Sequence, residues 1–304
     1  MKFSQNSERK GAGLPEQKVW WNGKIVEASK VRISPFDRGF QYGDGLFETI
    51  RIQNGFPLFL EEHLERLRKS LSYLEIDPHM TPHVREVGDF ETCRSIIRNL
   101  ILENGLDSKV SRLKIMVSRG EVQGFGLPPA TEPTVIVTVS LYNEPSDEIY
   151  NHGWKGIVLQ NGFTPSIAHY KTISYLFYLW ARHQAISKGA DEVIISDKDG
   201  FIAEGSMTGL IMFDEEENSW IAPVSPWQLP SITVGKVIEI LRELGEQVEV
   251  RSVHTDRISL FETVWALNSM IGVMPFRSIG KYNVKSTRSD LAKTIRQRLF
   301  QISR

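Results

Sequence analysis

The sequence predicts an α+β protein of two domains, and three observations carry that reading. Runs with strand character alternate with runs of helical period along the chain. The length, 304 residues, exceeds an ordinary single domain. A stretch rich in proline and glycine, "VQGFGLPPATEP", interrupts the alternation before the chain's midpoint. The division expected is a loose tail over 1–17, a small N-terminal α/β domain over 18–122, an interdomain loop over 123–133 and a larger C-terminal domain over 134–304.

Element by element, "KVWWNGKIVEASKVRI" reads as two short strands around an Asn-Gly turn. "SPFDRGFQYGDG" is a glycine-punctuated loop, and "LFETIRIQNGFPLFL" a hairpin with a second Asn-Gly turn. In "LEEHLERLRKSLSYL", Leu60, Leu64, Leu67, Leu71 and Leu74 fall at helical spacing. "DFETCRSIIRNLILENGL" is a second helix, stopped by Asn104 and Gly105. "SRLKIMVSRG" is a strand before the proline-rich break, and "TVIVTVSLY" one after it. A second polar break, "NEPSDEIYNHG", follows. Then come "KGIVLQN", a helix after Lys171, "ADEVIISD", "GLIMF", the helix "TVGKVIEILRELG", "QVEVRSV", "TVWAL" and a terminal helix in "RSDLAKTIRQRLFQI". The acidic run "DEEEN" is a solvated hairpin tip.

Composition removes several function classes. Lys plus Arg is 36 against 37 Asp plus Glu, a net charge of -1, so nothing global attracts nucleic acid or an anionic membrane. No basic stripe is interleaved with aromatics. Cys93 is the one cysteine, which forbids an internal disulfide and fits a reducing cytoplasm. The opening residues lack the apolar core of a signal peptide, and no apolar run approaches the roughly 20 residues of a membrane span. There is no P-loop. His79 and His83 stand four apart, but Pro82 breaks the helix a metal site there would want, so no metal is expected.

Four features point instead to a phosphorylated, electron-poor cofactor. Lys171 stands just before a helix whose first turn is aromatic. A helix N-terminus repels a cation, and an amine with a depressed pKa there is the neutral nucleophile that imine chemistry needs. Glu204, in "FIAEGSMTGLIMF", reads as an acid in a turn between apolar strands. A buried carboxylate needs a partner, and a protonated pyridine nitrogen would serve. Ser231 and Thr233 open a helix, and a helix N-terminus with hydroxyls makes a phosphate site; the polar turn "LNSMIG" adds Asn268 and Ser269. Arg66, beside the apolar stripe of its helix, has the fork to grip a phosphate.

The order of "RGFQYGDGLFETIR", "EEHLERL", "KTISYL", "GADEVIISDKDGFIAEGS", "LPSIT" and "NSMIGVMP" resembles the class IV pyridoxal-phosphate aminotransferases. That fold-type IV group, D-amino-acid aminotransferase-like in fold, holds branched-chain aminotransferases, D-amino-acid aminotransferases and 4-amino-4-deoxychorismate lyases. The resemblance covers about residues 19–280 and is most specific in "GADEVIISDKDGFIAEGS". It implies that Lys171 holds pyridoxal 5'-phosphate covalently and moves the proton at the substrate α-carbon. It implies that Glu204 pairs with the ring nitrogen and that Arg66, Ile232 and Thr233 bind the phosphate, with Thr208, Asn268 and Ser269 nearby. Tyr175 falls where branched-chain enzymes carry a tyrosine on the phenolate oxygen. A homodimer acting on an amino acid and a keto acid, branched-chain substrates among them, is the expectation.

Departures from the family pattern bear on substrate. Gly209 stands where asparagine is usual, Ser231 replaces a glycine, and Ser174 stands where asparagine is frequent. Gly124 occupies the place of an arginine that traps the substrate carboxylate in D-amino-acid and deoxychorismate enzymes, leaving Arg51, Arg112 or Lys114 for that task. The leading reading is a transaminase. The first alternative is aminodeoxychorismate lyase, which releases pyruvate and 4-aminobenzoate. The second is a cofactor-binding paralogue without catalysis.

Overall fold

The computed structural model describes residues 16–76, 81–285 and 288–301. Most of the expected tail, and His79, lie outside the described residues. Strands β1 (Lys18–Trp21) and β2 (Lys24–Glu27) form a hairpin. Its turn places Asn22 at φ 41° and Gly23 at φ 86°, the left-handed pair that an Asn-Gly hairpin turn requires. A short helix, α1 (Arg38–Tyr42), follows where the sequence read as loop. Five residues are too few to show a period, but the Asp37 carboxylate accepts from the Gly39 and Phe40 N–H groups and caps it. Next come β3 (Gly45–Gln53) and β4 (Phe56–Pro57), then α2 (Leu60–Tyr73), α3 (Pro82–Gly88) and α4 (Phe90–Glu103). Strands β5 (Ser111–Ser118) and β6 (Thr134–Leu141) complete an antiparallel six-stranded sheet, ordered β2-β1-β6-β5-β3-β4.

Alternation along these strands builds the first core. Leu46, Ile50 and Ile52 of β3, with Leu113, Ile115 and Val117 of β5, pack on Leu64, Leu67 and Leu71 of α2 and Ile97 and Leu100 of α4. Phe47, Thr49, Arg112, Lys114 and Met116 have the opposite parity and belong to the other face. Glu48 is an acid at a core-face position of β3 and is 1% exposed.

The boundary expected at 123–133 moves. That stretch joins β5 to β6, which pair along their whole lengths as neighbours in the first sheet. The chain leaves this sheet after Leu141, through α5 (Asp147–His152). Prolines and glycines mark where regular structure stops, but not which elements the stop connects.

The second half holds β7 (Trp154–Val158), α6 (Leu176–Ser187), β8 (Glu192–Ser196), β9 (Ile202–Gly205), β10 (Gly209–Asp214) and β11 (Ser219–Pro223). It continues with α7 (Ile232–Glu243), β12 (Val248–Arg251), β13 (Thr263–Asn268), β14 (Gly272–Ile279), β15 (Tyr282–Asn283) and α8 (Ser289–Phe300). The mixed sheet runs β12-β11-β10-β13-β14-β7-β8-β9, with β15 on β14. Strand β9, at one end of that order, passes directly into β10 near the other, and the Gly205 N–H donates to the Thr208 carbonyl at 2.6 Å. The sheet therefore curls.

Both faces of the curled sheet are apolar. Leu210, Met212, Val264, Ala266 and Met274 meet inside the curl. Ile211, Phe213, Trp265 and Leu267 pack outward on Val237 and Leu241 of α7 and Ile295 and Leu299 of α8. "DEEEN" is the β10–β11 tip, with Glu215, Glu216 and Glu217 exposed.

Candidate active site

Lys171 lies in an extended segment docked on the first sheet. The Phe47 N–H donates to the Lys171 carbonyl at 2.9 Å, and the Ile173 N–H to Gly45 at 3.0 Å. Strand β4 pairs only with the far end of β3, so the near end is a free edge that this segment fills. The expectation that Lys171 opens a helix is corrected: α6 begins at Leu176. Its pKa falls to about 8 for another reason, chiefly loss of water by burial and then the charge of Arg66, against the pull of Glu48 and Glu204. The residue as a whole is half-buried, with its ammonium 4.6 Å from the centroid of the Phe47 ring.

Glu204 is the third residue of β9 and not part of a turn; the turn is 206–208. Burial pushes its pKa up to about 7, although it accepts hydrogen bonds and feels Lys171 and Arg66. The Tyr178 hydroxyl donates to one carboxylate oxygen at 2.6 Å and the Leu229 N–H to the other at 3.1 Å. Tyr175 stacks on Tyr178 with centroids 4.8 Å apart, and its own hydroxyl donates to the Ser206 carbonyl at 2.6 Å.

Arg66 reaches from α2 to the N-terminus of α7, where one guanidinium N–H donates to the Pro230 carbonyl at 2.8 Å. Its Nε and Nη2 each donate to the Glu48 carboxylate, at 2.7 and 2.6 Å. Burial works to raise the Glu48 pKa, but Arg66 and His63 prevail and hold it at about 2. His63 Nδ1 lies 2.7 Å from Glu48, and burial lowers the imidazole pKa. An ionised carboxylate only accepts, so the His63 Nδ1 carries a proton and donates to it.

At the start of α7, Ser231 caps the helix by accepting from the Val234 N–H at 3.2 Å. That cap does not consume the N–H groups of Ile232 and Thr233, which are among the orphan donors of a helix start. A Cβ at Gly209 would lie 2.5 Å from Val234 Cγ2 and 3.3 Å from the Ser231 Cβ and Oγ. The departures at 209 and 231 are thus one packing arrangement: the missing side chain leaves room for the serine cap.

Thr208 donates to Glu192 at 3.3 Å, in a buried cluster with Ser206 and Arg182. The Asn268 carboxamide donates to Met207 and accepts from the Met270 and Ile271 N–H groups. Ser269 donates to the Thr49 carbonyl at 2.8 Å. The polar turns at 206–208 and 268–271 are therefore tied together, and the second is anchored to the first sheet.

Of the three cations left for a carboxylate, Arg51 is committed: its side chain is 2% exposed and pairs with Glu144 and the Met270 carbonyl. Arg112 is exposed. The Lys114 ammonium lies 4.7 Å from the Phe47 centroid, on the ring that Lys171 also approaches, and no carboxylate pairs with it among the described residues. Burial lowers its pKa. Gly124 sits in an exposed loop whose carbonyls at 124 and 126 accept from Arg38.

Sequence reasoning missed Glu48, His63 and Tyr178. Two signals were present: an acid among core-face residues of a strand requires a partner, and Tyr178 stands three residues after Tyr175 on one helix face.

The residues fit pyridoxal phosphate. A lysine of lowered pKa and a buried, oriented carboxylate are electrostatically coupled, and a helix N-terminus with an arginine at its mouth lies beside them. A family model described as amino-transferase class IV matches residues 45–279. Over 269 residues the chain is 24% identical to aminodeoxychorismate lyase of Bacillus subtilis, covering 88% of each. It is 26% identical over 276 residues to D-alanine aminotransferase of Bacillus licheniformis, covering 88% of this chain and 90% of that one. The branched-chain aminotransferase of the archaeon Thermoproteus uzoniensis, solved with norvaline, superposes with a TM-score of 0.81 at 19% identity, over 93% of this chain and 95% of that one. The fold is therefore that of the fold-type IV transaminases.

The Glu48–Arg66 pair makes a stability prediction. Arg66→Ala strands a buried carboxylate and should cost about 3–5 kcal/mol, measured by urea unfolding of the cofactor-free protein. Adding Glu48→Gln should recover part of that loss.

Proposed function

This chain belongs to the class IV aminotransferases, and from that premise we propose that it moves an amino group between an amino acid and a keto acid, with Lys171 as its reactive amine. The observation that carries the reading is that the Lys171 amine and the buried Glu204 carboxylate interact, with Arg66 reaching the N-terminus of α7 and interacting with both. The family is pyridoxal-phosphate-dependent. When bound, this cofactor supplies the electron sink that makes an amino acid's α-proton removable.

The chain's residues do the rest. Lys171, as a neutral amine, would hold the cofactor, and its amine would carry the proton away from the substrate α-carbon and back. Glu204 would accept from the protonated ring nitrogen. The N–H groups of Ile232 and Thr233 and the free edge of Arg66 receive the phosphate. Thr208, Asn268 and Ser269 hold the turns that wall that end. Tyr175, its hydroxyl spent on Ser206, packs the cleft wall. Lys114 receives the substrate carboxylate. A homodimer would cover two groups of exposed apolar side chains. Phe36, Phe40 and Tyr42 of the α1 region and Leu176, Leu179 and Trp180 of α6 are exposed. These groups adjoin, since Gly43 approaches Ser174 so closely that a Cβ would lie 2.8 Å away. Cys93, free and buried, suits a cytoplasmic enzyme.

A second reading is aminodeoxychorismate lyase. Lys114 favours it as a second cation beside Lys171, and the B. subtilis relative carries that name.

Four outcomes are expected. Borohydride reduction of the cofactor-loaded protein should leave a pyridoxyl group on Lys171, found by peptide mapping and lost in Lys171→Ala; an adduct elsewhere defeats the reading. The amine is neutral above its pKa, so the rate of covalent capture should rise about tenfold per unit below pH 8 and level above it. Amino transfer from glutamate or leucine to a keto acid should proceed in coupled assays, whereas pyruvate release from aminodeoxychorismate without an acceptor would select the lyase. For the dimer, Phe40→Glu with Leu176→Glu should convert the sedimenting species to monomer; a wild type already monomeric at micromolar concentration excludes it.

A further inference from the structure

Tyr178 belongs to no motif that led to the site, yet it makes the shortest contact to Glu204. Its hydroxyl donates at 2.6 Å to one carboxylate oxygen while the Leu229 N–H takes the other at 3.1 Å. A carboxylate offers about four lone-pair directions. Two donors on separate oxygens fix the plane of the group and leave its remaining acceptor capacity for a ligand. The Tyr178 ring is itself held, stacked on Tyr175 at 4.8 Å and 26° and edge-on to Phe177 at 5.3 Å. The hydroxyl is therefore aimed by two aromatic contacts and not by the hydrogen bond alone.

We propose that Tyr178 is the positioning residue of Glu204, orienting its carboxylate and keeping it ionised so that it can accept from a protonated ring nitrogen. This deepens the cofactor reading and rests on it. Five groups act on Glu204: the Tyr178 side chain from α6, the Tyr175 side chain just ahead of it, the Leu229 N–H ahead of α7, Lys171 from the docked segment and Arg66 from α2. Burial favours the neutral acid; the Tyr178 hydroxyl, the Leu229 N–H and the two cations oppose it. The Tyr178 phenol cannot give up its proton in exchange, since burial and the adjacent carboxylate push its pKa far above the ordinary tyrosine value. It stays a donor throughout the working range. Without that donor the acid would keep its proton to a higher pH. A protonated carboxyl cannot neutralise a pyridinium.

The test removes one oxygen. Tyr178→Phe keeps the ring and its stacking. Glu204 ionisation is followed in the cofactor-free protein by the infrared carboxyl band that Glu204→Gln abolishes. In Tyr178→Phe its midpoint should rise by about one pH unit, the tenfold that a hydrogen bond to a charged group supports. Pyridoxal phosphate should dissociate about threefold more readily at pH 7.5 and approach about tenfold more readily near pH 6, by fluorescence titration, with no further loss when Tyr178→Phe is added to Glu204→Gln. Should the phenylalanine variant not fold, 3-fluorotyrosine at 178, a stronger donor, should move the midpoint down. An unmoved midpoint with either replacement overturns the proposal. A moved midpoint supports it, even if borohydride finds no adduct on Lys171, in which case the cofactor reading alone fails.

Discussion

The site depends on one piece of backbone pairing. Residues 171–173, carried by the second half of the chain, complete the free edge at the start of β3 in the first half. Two N–H···O bonds fix where the Lys171 side chain leaves the main chain and draw it against Phe47. The neighbouring residue on β3 is Glu48, whose ion pair aims Arg66. One strand edge thus places both the amine and, through its core face, the arginine. Small residues permit the approach: a Cβ at Gly45 would lie 2.4 Å from the Val117 carbonyl oxygen and 2.9 Å from Ile173.

Burial then sets the electrostatics. Three acids and a lysine share the interior of this region, and their fates differ with their partners. Glu48, gripped by the Arg66 fork, stays charged at any ordinary pH. Glu204, held by a neutral phenol and a backbone N–H, is left near neutrality. Glu192 is fully buried and spends its oxygens on Ser206, Thr208 and Arg182, so it holds the 206–208 turn. Lys171 has no salt-bridged carboxylate among the described residues and loses proton affinity. Full ion pairs freeze protonation states, whereas neutral donors leave them adjustable.

Much of this was legible beforehand. The leucine stripe of α2 predicts one face of the first core, and Lys171, Glu204 and Arg66, singled out in the sequence, interact electrostatically in the structure. Other points were not. The break at 123–133 and the one at 142–153 look alike as sequence, yet only the second separates the sheets. Nothing local marks Gly209 and Ser231 as one arrangement, because the two meet only where β10 passes the start of α7.

The sequence by itself determined the elements, the faces they bury and the set of polar residues available for chemistry. These follow from side-chain periodicity and from turn residues such as Asn22-Gly23, which act over a few positions. Only the tertiary structure decided which charges meet. Lys171 lost its proton affinity through burial against β3, not at a helix end, and Tyr178 acquired its role by facing a strand 26 residues away. Desolvation and hydrogen bonding act through space, and the pairs they select need not be close along the chain.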